Sequence, residues 1–360
     1  MSTLTLTRSP RYIRTTALAN AISFRLDLYI FTGLASDKPA SATYTLSKKT
    51  INSATQVTFE INQLVRDYYE HTVGTTNSAG SVLWVIADAT GFTSSSVGAT
   101  VSTTFLAFDG FNYFQNAFIS FGSGGGSINA TYTLPTLISS DTVQVLDSEY
   151  AQIPVNAEVA ETVNFKLAGV TVSTHSITDN GNTNQKIQYI TTTAGTVDAV
   201  DVIYNSGAST ESRTIEEVDE CKHTVSKIIF INRFGALQNL YFFKKSVESL
   251  QIKKDSFNRN ILDETLPYAV GVNLTEHQKK KFNIMGSESL VLNSGFVTES
   301  MNESFKELLL SQYVWMVRDG STLPINIKDS SFTYKTGLND RLINYTINLD
   351  YAFDTINNIH

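Results

Sequence analysis

Hydrophobic and polar positions alternate along much of the chain. In FRLDLYIF (24–31), Phe24, Leu26, Leu28 and Ile30 share one side and polar residues take the other. A period of two is that of a strand with one buried face. ATYTLSKK and TQVTFEI continue the pattern, and VLWVIAD (82–88) and TVSTTFLAF (100–108) predict two further strands, with the Trp84 neighbourhood as core. INQLVRDYYEH (61–71) changes period: Leu64, Val65 and Tyr68 follow helical spacing, so one short helix is expected there.

Further along, AETVNFKLAGVTVSTHSI and NQKIQYITTT flank TDNGNTN, and Asn180-Gly181 predicts a two-residue type I′ hairpin. DAVDVIYNSGAS adds a strand and a turn. VSKIIFIN and NLYFFKKS are apolar enough for buried strands. Arg233-Phe234-Gly235-Ala236 between them fits a tight reversal, with Gly235 free to take positive φ. A buried hairpin is favoured there over a functional loop, with Arg233 available to a carboxylate or a neighbouring subunit. TESMNESFKELLLSQ (298–312) predicts a helix capped by Thr298. Met301, Phe305, Leu308, Leu309 and Gln312 lie on one face and Glu299, Glu303 and Glu307 on the other. YVWMVR, LPINIKD, SSFTYKT and DRLINYTINLDYAFD predict strands, with DGST as a turn; Leu342, Tyr345, Ile347, Leu349, Tyr351 and Phe353 alternate in the last.

These elements define a mainly β protein with an α+β C-terminal domain and β-sandwich modules in tandem. Residues 1–120 form a sandwich-like domain whose first 20 residues suit an extended arm, able to add a strand to an adjacent subunit's sheet. Residues 121–135 form a Gly-rich linker, 136–215 an immunoglobulin-like module and 216–360 the α+β domain. The Gly-rich FGSGGGSINA (121–130) lacks the Lys and the following helix of a phosphate cradle, so a connector is the favoured reading.

Composition points towards packing surfaces. Of 360 residues, 42% are hydrophobic and only 17% charged, below the usual quarter, so polar surface comes from Ser, Thr and Asn. The net charge of −7 is uneven: residues 136–215 hold three basic and nine acidic residues. No clustered basic excess of a nucleic-acid footprint occurs. The three Lys of TEHQKKKFNI (275–284) suit a solvated loop and a contact for an acidic neighbour such as the 136–215 module. MSTLTLTRSPRYIRTT is polar with scattered Arg, so neither a secretion signal nor a membrane span is expected.

Chemistry is sparse. Cys221 is the one cysteine, and Cys221-x-His223 supplies only two metal ligands. His71, His175, His223, His277 and His360 are scattered, and the carboxylate spacing of a calcium loop is incomplete at TDNGNTN. Neither a nucleophile elbow nor an S-x-x-K motif occurs. Glu60, Asp88 and Asp109 are acids among apolar strands, each favoured as a strand-end or turn residue. No catalytic, cofactor-binding or metal-binding residue is assigned, and no cofactor is expected. FDGFNYFQNAF (108–118) concentrates aromatics; core or subunit interface is favoured over a sugar-stacking platform.

The segments IIFINRFGALQNLYFFKKS, LVLNSGFVTESMNESFKELLLSQYVWM, LPINIKDSSFTYKT and NDRLINYTINLDYAFDTINNI, in this order, resemble virion proteins of tailed bacteriophages, especially the crAss-like phages of Bacteroidota. The resemblance covers about residues 225–360. It implies a tail or neck component without enzymatic activity, assembled in the host cytoplasm. Its copies would form a ring around the DNA channel, beside other tail or neck proteins and without specific nucleic-acid binding. No residue role carries over. A receptor- or glycan-binding baseplate or fibre protein is the alternative, with Phe111–Phe118 as the platform; a glycan hydrolase ranks third.

Overall fold

The computed structural model describes residues 3–51, 54–69, 82–116, 119–120, 127–128, 134–147, 149–193, 195–219, 222–260, 262–263, 271–272, 275–336 and 343–356. It is mainly β, with several sheets and one substantial helix near the C-terminal end.

The first sheet has the order Thr3–Leu6, Val97–Phe108, Val82–Phe92, Ser23–Phe31, Tyr44–Lys49. The segment expected as an extended arm pairs here within its own chain, Thr3–Leu6 running parallel to Phe105–Phe108. Both faces of this sheet are covered, because the long strands carry apolar residues at odd and even positions. One face, with Phe24, Leu26, Leu28 and Ile30, packs under Ile13, Phe59 and Val65. Val65 lies on the predicted short helix, Asn62–Arg66. Beyond the helix end Tyr69 is buried and Tyr68 half-exposed, the reverse of the helical-spacing expectation. The opposite face, with Leu6, Trp84, Leu106 and Phe108, packs against Leu137, Ile187, Phe234 and Ala236 from later in the chain. Trp84 therefore faces the following units and is not at the centre of the first one.

In the middle segment a five-stranded sheet has the order Thr142–Leu146, Ser209–Val218, Ala199–Tyr204, Ala160–Leu167, Val170–Ser176. Its first two strands are parallel. Tyr150–Asn156 and Ile187–Thr193 form a separate antiparallel pair, and both sheets feed one core around Val145, Ile153, Val155, Val163 and Val202. Asn180-Gly181 is not a hairpin turn. Val170–Ser176 and Ile187–Thr193 belong to different sheets, only Gly181 of the pair has positive φ, and residues 177–186 cross between the sheets. Two-residue reversals with both central φ positive occur instead at Ala168-Gly169 and Asp319-Gly320.

The C-terminal sheet is antiparallel, in the order Leu237–Phe242, Ser226–Ile231, Val314–Arg318, Ser321–Ile327, Ile343–Tyr351, Lys279–Val297, Lys244–Asn258. Its two outermost strands are chain neighbours across Phe243, so the sheet curls until its edges share a corner. A 3-10 turn, Glu299–Met301, leads into the helix Asn302–Leu310. Thr298 precedes that turn with extended backbone and makes no capping bond. Met301, Phe305 and Leu308 seal the core with Phe230, Phe242 and Leu292. The Phe305 ring meets Phe242 edge-on at 6.0 Å and Tyr345 at 4.7 Å. SSFTYKT is not a strand: it runs irregularly over the core, its Phe332 ring 4.9 Å from Tyr345.

Candidate functional site: a three-way junction and a projecting arm

The Arg233–Ala236 reversal is the meeting point of the three units. Asn232 has no exposed surface, and its Oδ1 accepts from the Phe234 N–H at 3.0 Å and the Ala236 N–H at 3.1 Å. Its Nδ2 donates to the Leu137 carbonyl at 2.6 Å, tying the turn to the entry of the middle segment. Gly235 takes φ +80°. The Arg233 carbonyl accepts from the Phe111 N–H at 2.7 Å, tying the turn to the first sheet.

Beneath this turn lies Glu307, fully buried although the helix pattern placed it on the solvent face. It accepts hydrogen bonds from the Ser139 hydroxyl and from the Arg233 N–H at 3.3 Å, and its Oε1 is 3.6 Å from the Arg233 Nε. Burial pushes its carboxyl up to about 7, against the opposing pull of Ser139 and Arg233. Around it, Tyr113 donates to Glu303 at 3.0 Å and carries the Lys306 ammonium 3.6 Å from its ring centroid. Burial, then Glu307 and Glu303, raise the Tyr113 phenol to about 12. Arg8 caps the far end of the same helix, donating to the Leu310 carbonyl at 2.9 Å, where the helix dipole favours a cation. Side chains from all three units thus converge on a single helix.

A second charged cluster lies where the first and middle units meet. The Lys186 ammonium, 2% exposed, is held by Glu158 at 2.5 Å and Asp179 at 2.8 Å and lies 5.4 Å from the Trp84 ring centroid. Thr183 and Gly33 exchange bonds alongside, Thr183 N–H to the Gly33 carbonyl and Gly33 N–H to the Thr183 hydroxyl, both 3.0 Å. Two open clefts, of 680 and 530 Å³, share Glu158 as a lining residue. In the larger, Glu161 spends its carboxylate on the N–H groups of Ser206 and Gly207, and in the smaller Glu158 and Asp179 share the single Lys186 ammonium.

The projecting feature is a hairpin arm. Lys244–Asn258 and Lys279–Val297 are 15 and 19 residues long. Lys279–Val297 is also paired to Ile343–Tyr351, but only from Ser289 onwards. Past Gly286, whose carbonyl accepts from Thr355 N–H at 2.9 Å, the described residues form a two-stranded ribbon, continued by Leu262–Asp263 against Gly271–Val272. Leu250, Ile252, Phe257, Phe282 and Ile284 are all exposed along it. TEHQKKKFNI, expected as a solvated loop, enters the second strand of this ribbon at Lys279.

The acids picked out in the sequence are structural in their contacts. Asp88 sits mid-strand, not at a strand end, and pairs with Lys38 at 2.6 Å. Asp109 is buried beside Thr7, and Glu60 ends its strand on the surface. His175 and His277 are exposed; Cys221, His71 and His360 lie outside the described residues. Among the described residues no group of three or more His, Cys, Asp or Glu is placed to hold a metal, and no helix is long and apolar enough to cross a membrane. In the aromatic segment, Arg8 lies 4.7 Å from the Phe111 ring centroid, Lys306 covers Tyr113, and Phe114 is 95% exposed. Phe118 and most of the Gly-rich segment lie outside the described residues.

Glu307, Lys186 and Asn232 escape a reading of the sequence because each is a polar residue buried by a partner distant in the chain. No family model and no curated protein matches this chain.

Proposed function

We propose that the protein is a structural subunit of a bacteriophage tail or neck, assembling as a closed ring of identical copies, with no catalysis of its own. The observation that carries this reading is the arm. A two-stranded ribbon is at best marginally stable alone in water, and a row of exposed Leu, Ile and Phe along it is surface made to be covered. The apolar residues at its base, Leu290 and Leu292, already belong to the subunit's own core; the distal ones stay about half-exposed, Phe257 and Phe282 meeting each other edge-on at 5.6 Å. A patch on one copy that fits a different patch on the next generates rings when the rotation closes.

The rest of the molecule supports a load-bearing part. Hydrogen bonds join the first sheet, the middle sandwich and the C-terminal sheet around the Arg233 turn, through Phe111, Leu137 and Ser139, which suits a subunit that transmits force without bending. The middle segment's strand order, with its first strand parallel to its last and a separate antiparallel pair across the core, is consistent with an immunoglobulin-like module. The test is native mass spectrometry with negative-stain imaging of the purified chain. A ring of fixed copy number is expected, and a monomer at the highest soluble concentration refutes the reading. The glycan-binding alternative is favoured by one observation, the exposed Phe114 ring, and predicts sugar binding that disappears in Phe114→Ala.

A further inference from the structure

The middle sandwich ends in a strand edge that nothing in the described chain covers. Val170–Ser176 is the last strand of its sheet, and all seven residues are exposed. Its sequence, VTVSTHS, holds no Lys, Arg, Asp, Glu or Pro. Soluble proteins normally guard such an edge with charge, proline or a covering segment, because its free N–H and C=O groups accept another strand. Val170 and Val172, at 67% and 52% exposure, add apolar surface to it.

Acids stand at both ends of this edge. Asp198 accepts from the Ala168 N–H at one end. At the other, Asp179 follows Ile177 by two residues, sharing the single Lys186 ammonium with Glu158. From Ala168 to Ile177 is nine residues. The arm's own outer strand, Lys244–Asn258, is likewise the last of its sheet. It carries Lys244-Lys245 and Lys253-Lys254, so Lys245 and Lys254 are also nine residues apart. At about 3.4 Å per residue the lysine span is about 31 Å and the extended Val170–Ser176 edge, which begins after the Ala168-Gly169 reversal, about 20 Å, so the lysines reach past both of its ends. In the distal arm, residues 251–260 and 275–284, six basic residues stand against Asp255 and Glu276. Residues 136–215 hold nine acidic residues against three basic.

We infer that the Lys244–Asn258 edge of one copy's arm adds as a strand to the Val170–Ser176 edge of a second copy's middle sandwich. The inference rests on the ring reading above and names the two surfaces that make its interface. Main-chain hydrogen bonds would supply affinity, Val170 and Val172 would meet Leu250 and Ile252, and the lysine pairs would bracket the acid-flanked edge. Like charge disfavours arm against arm and steers it to the acidic module. The pairing is heterologous, as ring closure requires.

The test is a charge exchange on exposed positions, read by native mass spectrometry. Lys253→Glu with Lys254→Glu is expected to raise the concentration needed for assembly by about tenfold or more. Thr171→Lys with Ser176→Lys on the edge is expected to do the same. All four changes together are expected to restore assembly, which a merely structural effect would not do. A Val172→Cys/Leu250→Cys pair, opposite each other in the antiparallel pairing, in a Cys221→Ser background is expected to give an intermolecular disulfide ladder under oxidation. Rings that form equally well in every variant, with no ladder, overturn this interface and leave the ring reading intact; a wild-type monomer overturns both. Loss of mobility shift on duplex DNA in the arm variants, with assembly unchanged, assigns the lysines to nucleic acid and also overturns it.

Discussion

The carbonyl oxygen of Arg233 lies so close to Gly110 that a Cβ built on that glycine would sit 2.3 Å from it. The neighbouring residue Phe111 donates its N–H to the same oxygen at 2.7 Å. Both partners are main chain, so no rotamer change can relieve the crowding. Gly110→Ala should therefore push the C-terminal turn off the first sheet. We expect a loss of about 2–3 kcal/mol, at the upper end for overpacking, measured by urea denaturation. A variant as stable as wild type would show that the two units do not meet through this turn.

Glu307 makes the fold pH-sensitive in a definite direction. Its carboxyl titrates near 7 when folded and near the ordinary 4.5 when unfolded. Between these values the folded state binds the proton and the unfolded state does not, so stability falls as pH rises through the window and levels off above it. The groups facing it are Arg233 from the turn, Tyr113 from the segment that follows the first sheet, and Glu303 and Lys306 from its own helix. The separation of the two values corresponds to about 3 kcal/mol at most. Glu307→Gln should flatten the profile between pH 4.5 and 7. Glu307→Ala should lower stability at every pH, because the half-buried Ser139 and Arg233 donors lose their acceptor. Denaturation midpoints across this range check both.

Much of the fold is legible from period alone. Phe24, Leu26, Leu28 and Ile30 alternate in sequence and lie in one core, and Tyr345, Ile347, Leu349 and Tyr351 do the same in another. The burial of Arg233–Ala236 as a reversal with positive φ at Gly235 is also readable, since few other sequences fit that backbone. What period misreads has one cause, the influence of partners distant in the chain. Glu307 looks exposed because a helix pattern reports one packed face, and this helix packs on two. Asn180-Gly181 looks like a hairpin because turn chemistry is local, whereas its flanking strands are claimed by different sheets. Trp84 looks like the centre of one unit because period cannot tell a private core from a shared one.

Lys186 should be the least replaceable cation among the described residues. It is enclosed by Glu158, Asp179 and Trp84, and replacing it with Met keeps the volume but leaves two carboxylates without their counter-charge. Breaking a buried pair from one side costs about 3–5 kcal/mol. Lys186→Met is expected to reach that range in chemical denaturation. Adding Glu158→Gln and Asp179→Asn should recover part of the loss, because the uncompensated charge is then gone. If the single variant loses less than about 1 kcal/mol, the value for an exposed pair, water reaches the cluster and the first and middle units separate there in solution.

The arm should be dispensable for folding and indispensable for assembly. Gln251 and Ser287 are directly paired across it, so joining them through an Asn-Gly turn in place of residues 252–286 closes a two-residue hairpin of favourable geometry. The core residues Leu290 and Leu292 lie on the retained side. Among the described residues, the cut removes the hydrogen bond that ties the ribbon to the body, from the Thr355 N–H to the Gly286 carbonyl, a change of about 1 kcal/mol. The shortened chain should therefore unfold cooperatively within about 1 kcal/mol of wild type and remain monomeric at every concentration. Ribbon residues that make no contribution to the fold and yet carry exposed Leu, Ile and Phe have no other physical reason to stay apolar. If the shortened chain fails to fold, those residues serve the subunit's own core, and the arm is not an interface.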